Sequence, residues 1–367
     1  MQRKNSDSTP RLTRWSLLLF LLAAAGLCVY LLAVMSEGFA AGYNRTVGAF
    51  LRALLAHLTS WLPFSLAEIL LYCTPVLIAA VAVLGYRRYC DTWRAVLVYL
   101  CSILSVCSIL FSLFAFSFGA GYHTPALDTR LSLPAAEVNA QTLTATAEEL
   151  VAQLNALADT VSYGEDGFSV MPYGLEQMNG ELLAAYAPLC EKYDFIQSLD
   201  SRIKPVLASK AMSYTHITGI YTYFTGEANL NVYFPDYTLP YTAAHELAHQ
   251  RGIARENEAN FVAFLVCSAS KDSYIRYCAY LNLFEYVGSA LYKADEDAYL
   301  AIRDTLDARV LGELRAYAAF FEPFRDSVAA DLSDAVNDTY LKLHGNEAGT
   351  ASYGLVVELA VAYYRQN

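Results

Sequence analysis

The chain has 367 residues, of which 56% are hydrophobic and only 17% charged. Soluble proteins carry roughly 25% charged residues, so the composition argues against a purely soluble enzyme and for membrane segments. The formal net charge of −11, with no basic arm or stripe, argues against a nucleic-acid binder.

Residues 15–35 form an uncharged apolar run, WSLLLFLLAAAGLCVYLLAVM. A helix of about 20 residues crosses the hydrocarbon core. A second run extends from about Pro63 to Tyr86, interrupted only by Glu68, and a third from Ala95 to about Phe118 carries no charge. Three spans are expected, at about 15–35, 63–86 and 95–118. The first exceeds the roughly 7–15 apolar residues of a signal-peptide core and is read as a retained helix. Its small residues Ala23, Ala24, Ala25 and Gly26 allow close helix approach, so an oligomer through the spans is conceivable and its order open. The loop at 36–62 predicts a short amphipathic helix, with Phe50, Leu51, Leu54, Leu55 and Leu58 at helical spacing. That face suits the membrane surface.

Basic residues set the expected orientation. Arg3, Lys4, Arg11 and Arg14 precede span one, and Arg87, Arg88 and Arg94 lie between spans two and three; the other loop has only Arg45 and Arg52. The positive-inside rule puts the amino terminus (1–14) in the cytoplasm and residues 119–367 outside it. The first 118 residues carry nine Lys+Arg and four Asp+Glu, and the rest 16 and 32, which fits a basic rim inside and an acidic domain outside. Of eight cysteines, Cys28, Cys73, Cys101 and Cys107 fall in spans and Cys90 at the cytoplasmic edge, leaving Cys190, Cys267 and Cys278 in the outer domain without a CxxC. This is no disulfide framework; small buried hydrophobes are the expected role.

The outer domain is long enough for a substantial core. Helices are predicted over 139–157, 177–199, 241–250, 255–270, 272–293, 295–321 and 324–342. The segment 214–237, rich in Tyr, Thr, Ile, Val and Phe and punctuated by Gly219 and Gly226, predicts a small antiparallel hairpin. The last apolar run, 354–364, is too short to cross a bilayer and reads as a buried helix. The fold class is therefore a three-helix membrane region plus a mainly α, α+β extracytoplasmic domain.

Residues 241–259 read YTAAHELAHQRGIARENEA and contain HExxH. On a helix, His245 and His249 share a face and can converge on one ion. Glu246 lies beside them as a candidate general base. Zinc suits imidazole nitrogen plus carboxylate oxygen, and a catalytic site leaves one position for water. Gly252 is placed to end the helix and turn the chain. The helix that follows offers a third ligand. Glu256 is i,i+4 from Asn260 and shares a face with Ala259 and Ala263, which permits close approach to the first helix; Asn260 would then orient a ligand by a hydrogen bond. Glu258 is the alternative third ligand. The competing readings are a surface helix with an acidic first turn and a metal site without turnover.

HExxH with a downstream Glu resembles the gluzincin-type metallopeptidases. The E-x-E-A-N of 256–260 is similar to the helix of the Ste24-like and ImmA/IrrE-like peptidases, whose first Glu is the ligand; this implies Glu256 and a zincin-like domain. The departure is the spacing, since only six residues separate His249 from Glu256. The metzincin pattern is excluded because its third ligand would fall on Arg255. Over most of its length the chain also resembles an uncharacterised bacterial family of polytopic membrane proteins, through FTGEAN at 224–229, Leu239-Pro240, HELAHQRG at 245–252 and the ExEANF helix at 256–261. That resemblance implies a bacterial cell membrane and no particular substrate.

Zincins present a strand edge above the metal helix, and 221–233 is the candidate. Glu227 is read as contacting a substrate amine or capping a turn. His216 and Tyr223 are candidates for oxyanion contacts, with packing as the plainer role. Arg251 and Arg255 flank the site, a salt bridge to Glu258 being the plainer expectation. His123 and His344 suggest no partner. The expectation is a membrane-anchored zinc-dependent hydrolase, a peptidase by preference, acting in the lipid bilayer's vicinity on envelope proteins, peptides or peptidoglycan stem peptides. The alternative is a non-catalytic membrane-tethered metal-binding or sensing module. A transporter is disfavoured, since Glu68 is the one acidic residue in the spans.

Overall fold

The computed structural model describes residues 11–89, 92–343 and 353–366; Arg3, Lys4, Cys90 and His344 lie outside them. Three helices are long and apolar enough to cross a membrane: α1 (Arg14–Met35), α4 (Leu66–Tyr89) and α5 (Trp93–Ser117). Between α1 and α4 lie α2 (Glu37–Tyr43), a π-helical turn (Asn44–Gly48) and α3 (Ala49–Ser60). Thr13 caps α1 and Thr92 caps α5, each by accepting a backbone N–H in the first turn. Leu17, Leu21, Leu31, Leu71, Leu77, Leu97 and Leu104 are exposed, as the apolar flanks of a bundle facing lipid would be. Of the small residues of span one, Gly26 serves packing within the chain: a Cβ there would lie 3.3 Å from Ala115 Cβ of α5.

The remainder begins with a 3-10 turn (Gly119–His123) and α6 (Leu127–Leu131), followed by α7 (Ala140–Ala158), a tiny hairpin of β1 (Ser162–Tyr163) and β2 (Ser169–Val170), and α8 (Leu175–Lys192). Next come β3 (Ile203–Pro205), α9 (Ser209–Ser213), β4 (Gly219–Thr222), β5 (Glu227–Leu230), α10 (Thr238–Gln250) and α11 (Glu256–Ser268). The chain ends with α12 (Ser273–Ala294), α13 (Glu296–Arg303), α14 (Ala308–Arg325), α15 (Val328–Leu343) and α16 (Tyr353–Gln366). One apolar core joins α7, α8, α10, α11, α12 and α16, with Leu150, Leu154, Leu182, Leu247, Phe261, Leu281 and Val356 fully buried. Such side chains contribute about 1.5–3 kcal/mol each when removed from water. The last helix is packed into this core, as its length implied.

Two expectations are corrected. The antiparallel pair expected over 214–237 is present as β4 and β5, but the β element is not wholly antiparallel: the sheet order is β3-β5-β4, with β5 parallel to β3. The third strand, Ile203-Lys204-Pro205, is too short to show an alternation and lies ahead of the segment that carried the signal. The continuous helix expected over 295–321 is two helices, because Asp307 caps α14 through the Arg309 N–H and interrupts the turn. The loop helix α3 exposes Phe50, Leu54 and Leu58, while Leu51 and Leu55 are half-buried.

The α3 helix packs against the β4–β5 turn at Gly226, whose φ is +70°. A Cβ there would sit 2.6 Å from Leu55 Cβ and 2.7 Å from the Ala56 nitrogen. Gly226→Ala is expected to destabilise the full chain by about 1–3 kcal/mol. Gly180→Ala, in α8 with nothing within 4 Å of its Cβ, is expected to stabilise it by about 0.5–1 kcal/mol. Thermal unfolding of the detergent-solubilised protein checks both; equal effects would refute the packing account.

Candidate metal centre

Helix α10 ends in a Schellman turn. Arg251 is the C-cap, Gly252 adopts φ +95°, the Gly252 N–H donates to His249 O and the Ile253 N–H to Ala248 O. This reversal is short enough for α11 to start at Glu256 and run back along α10. Ala243, Ala244, Ala248, Ala259 and Ala263 are fully buried, which lets the helices approach closely, and Tyr241 Oη donates to Asn260 O at 2.8 Å. The compact turn is thus the physical reason that six residues suffice between His249 and Glu256.

His245, His249 and Glu256 come together. His245 Nε2 lies 3.1 Å from Glu256 Oε2, and His249 Nε2 lies 3.5 Å from Glu256 Oε1. The three candidate ligand atoms all lie within 4.8 Å of one another. Each imidazole is oriented through its other nitrogen: His245 Nδ1 is 2.9 Å from Asn260 Oδ1, and His249 Nδ1 is 2.7 Å from Ile253 O. A proton on each Nδ1 leaves each Nε2 facing Glu256, as the metal-binding nitrogen once its own proton is lost. Two nitrogens and one carboxylate oxygen with an open side are a donor set that fits zinc.

Burial and charge shape the titration. Burial opposes charge on His249, but the Glu256 carboxylate prevails and lifts it to about 9. Burial likewise opposes charge on Glu256, yet His249 and His245 hold it well below the usual carboxylate range. Glu246 is only 4% exposed. Burial pushes it up to about 7 against the pull of the two histidines. Strand β4 crosses directly over it: a Cβ on Gly219 would fall 2.6 Å from Glu246 Oε1, and the Tyr221 N–H donates to the carboxylate. Glu246 Oε2 is buried and has no hydrogen-bond partner.

The remaining candidates are placed elsewhere. Glu258 is not at the cluster; it accepts the Leu127 N–H at 3.0 Å and pairs with Arg130 and Arg255. Of the two roles read for Glu227, the structure shows a cap, of a helix rather than a turn: its two oxygens accept the Leu66 and Ala67 N–H groups at the start of α4. His216 has φ +58° and bonds Phe324 O through Nε2, against Phe321. Tyr223 packs edge-on to Phe114 with ring centroids 5.4 Å apart. Both therefore have packing roles. Arg251 is buried over the Tyr186 ring, and His123 lies edge-on to Tyr30. Sequence reasoning missed Phe118, whose ring meets His249 at 6.0 Å, and Asn44, whose Nδ2 donates to Gly252 O at 2.9 Å. Gly219 was visible as punctuation but not as the glycine that Glu246 requires.

With this geometry in place the family is clear. The chain belongs to the family described as "Protein of unknown function (DUF3810)", whose model matches residues 43–361. No curated protein matches the chain, and no solved structure does.

Binding of a divalent ion must displace the proton that Glu256 holds on His249. Zinc added to the metal-free full chain at pH 7 is expected to release about one proton per ion, and fewer as pH rises above 9. Apparent affinity should therefore climb with pH up to that point. Titration calorimetry in buffers of different ionisation enthalpy reads the proton count; none released at pH 7 would refute the His249–Glu256 coupling.

Proposed function

We propose that this chain is a membrane-anchored, zinc-dependent peptidase whose large domain lies outside the cytoplasm of a bacterial cell. The observation that carries the reading is the convergence of His245, His249 and Glu256 beside a buried, proton-competent Glu246. Envelope proteins, peptides and peptidoglycan stem peptides are the candidate substrates.

Zinc, when bound by His245, His249 and Glu256, would supply Lewis acidity toward water and a substrate carbonyl. The chain's own residues do the rest. Asn260 and Ile253 O fix the imidazole rings by their Nδ1 atoms. Burial raises the proton affinity of Glu246, which suits it to take a proton from water and return it to the leaving amine. Among the described residues β4 pairs with β5 alone, and its other edge, apart from the Tyr221 N–H that Glu246 accepts, offers backbone groups to an extended chain. Orientation is supported by Arg11 and Arg14 at the start of α1 and by Arg87, Arg88 and Arg94 where α4 ends and α5 begins.

Glu246→Gln in the full chain is expected to lower hydrolysis by about 10²–10⁴-fold while zinc content stays at the wild-type level. His249→Ala and Glu256→Ala should lose the metal, and Glu258→Gln should keep it. Peptide turnover and metal analysis read these outcomes; zinc-loaded wild type with no turnover above that of Glu246→Gln would leave the non-catalytic module. Sidedness has its own check. In a cysteine-free background, a cysteine replacing the exposed Leu207 should react with a membrane-impermeant maleimide in intact cells. Labelling only after lysis would reverse the assigned topology.

A further inference from the structure

We infer that the substrates of this site are polypeptides anchored in the same membrane, cut within a few residues of the bilayer surface. This rests on the peptidase reading and adds to it the substrate class.

Two spans locate the edge of the lipid. Helix α5 has 25 residues, whereas about 20 cross the hydrocarbon core. Leu104, Val106, Leu110 and Phe111 are exposed, but Phe114, Ala115 and Ser117 are buried. The last turn of α5 is therefore covered, Ala115 by Gly26 of α1 and Phe114 by Tyr223 of the domain. Helix α4 repeats the pattern at its start. Leu70, Leu71 and Tyr72 are exposed, while Ser65 and Glu68 are buried and Glu68 accepts the Leu207 and Ala208 N–H groups at 2.8 Å.

The metal centre lies just above that edge. Phe118, the first residue past α5, makes the ring contact with His249. Tyr221 of β4 meets Phe118 at 5.3 Å, and Tyr223 meets Phe114. Gln250, at the end of α10, donates through Nε2 to Gly226 O at 2.7 Å, and the adjacent Glu227 caps α4. The carboxyl end of α10 and the turn end of β4 thus both face the bilayer.

This sets the direction in which a substrate strand would run. Gly219 overlies Glu246, and Tyr223, four positions on, reaches the Phe114 turn of span three. At about 3.3 Å per residue that distance is about 13 Å. A strand laid along the free edge of β4 has one end over Glu246 and the other at the outer ends of α4 and α5. A chain rising out of the membrane meets Glu246 about four to six residues above the surface. On the same level α3 exposes Phe50, Leu54, Leu58 and Trp61, an apolar row suited to the headgroup boundary. Lipid against that row leaves little room for a folded soluble substrate, while an anchored chain gains from its raised local concentration.

The test uses the full chain in liposomes with a randomised peptide library in three forms: soluble, attached directly to a transmembrane helix, and attached through a twelve-residue Gly-Ser spacer. Mass spectrometry identifies the cut bonds, and Glu246→Gln defines background. The expected result is directly anchored cleavage roughly tenfold or more above soluble, with cuts about four to six residues from the helix. With the spacer, cuts should move into the Gly-Ser segment or fall sharply, so that distance from the membrane is preserved. Equal cleavage of soluble and anchored forms, or cuts that follow the library across the spacer, would overturn the inference and leave the peptidase reading intact. No cleavage above Glu246→Gln in any form, with zinc bound, would overturn both.

Discussion

A buried guanidinium holds the membrane part and the turn behind the His245–His249–Glu256 cluster together. Arg52 is 1% exposed and meets no carboxylate among the described residues. Its Nη1 donates to Asn44 Oδ1 and Ser117 O, and its Nη2 to Asn44 O, each at 2.8 Å. Burial pushes it down to about 10, so it stays charged at neutral pH. A buried charge is costly unless polar atoms surround it. Here the oxygens come from the loop after span one and from the end of span three. The turn after α10 closes the third side, where a Cβ on Gly252 would fall 2.4 Å from Arg52 Nη2. Gly252 therefore meets two demands at once, a left-handed backbone and a bare face against a cation.

Two further buried charges latch the α3–α4 connection to the sheet, and both obey helix-dipole logic. Lys204 of β3 donates to Thr59 O and Leu62 O at the carboxyl end of α3. Glu227 of the neighbouring strand β5 accepts the first N–H groups of α4. A cation thus meets a helix carboxyl end and an anion meets a helix amino end, on adjacent strands. Glu68 returns the favour from α4 by capping the start of α9. Together with Arg52 these contacts make residues 44–68 part of the domain's own structure, not a tether to it.

What could be read in the sequence was what repeats or what clusters. The three apolar runs match the three long helices, and the period-3.6 patterns match most of the domain helices, because burial of one face leaves a periodic trace. The His245–His249 pair and the small-residue face bearing Glu256 were legible for the same reason: each sits within one helix. Asp307 was legible only as a polar residue inside a helical pattern, and its capping role had to be seen. Glu227 and Arg52 were opaque because their partners lie 160 and 65 positions away, at Ala67 and Ser117. A charge in a loop gives no local sign of which backbone it will serve.

The Asn44–Gly252 hydrogen bond joins residues 208 positions apart, and this has a bearing on biosynthesis. At about 5–20 residues per second of translation, roughly 10–40 s separate the emergence of its two ends. During that interval Arg52 is already made, beside the membrane, with part of its environment still on the ribosome. Water and lipid headgroups must solvate it until α10 arrives. The turn that aligns His249 with Glu256 is therefore backed by its cation only once both segments are made, so the order of synthesis itself puts completion of the His245–His249–Glu256 cluster after the three spans.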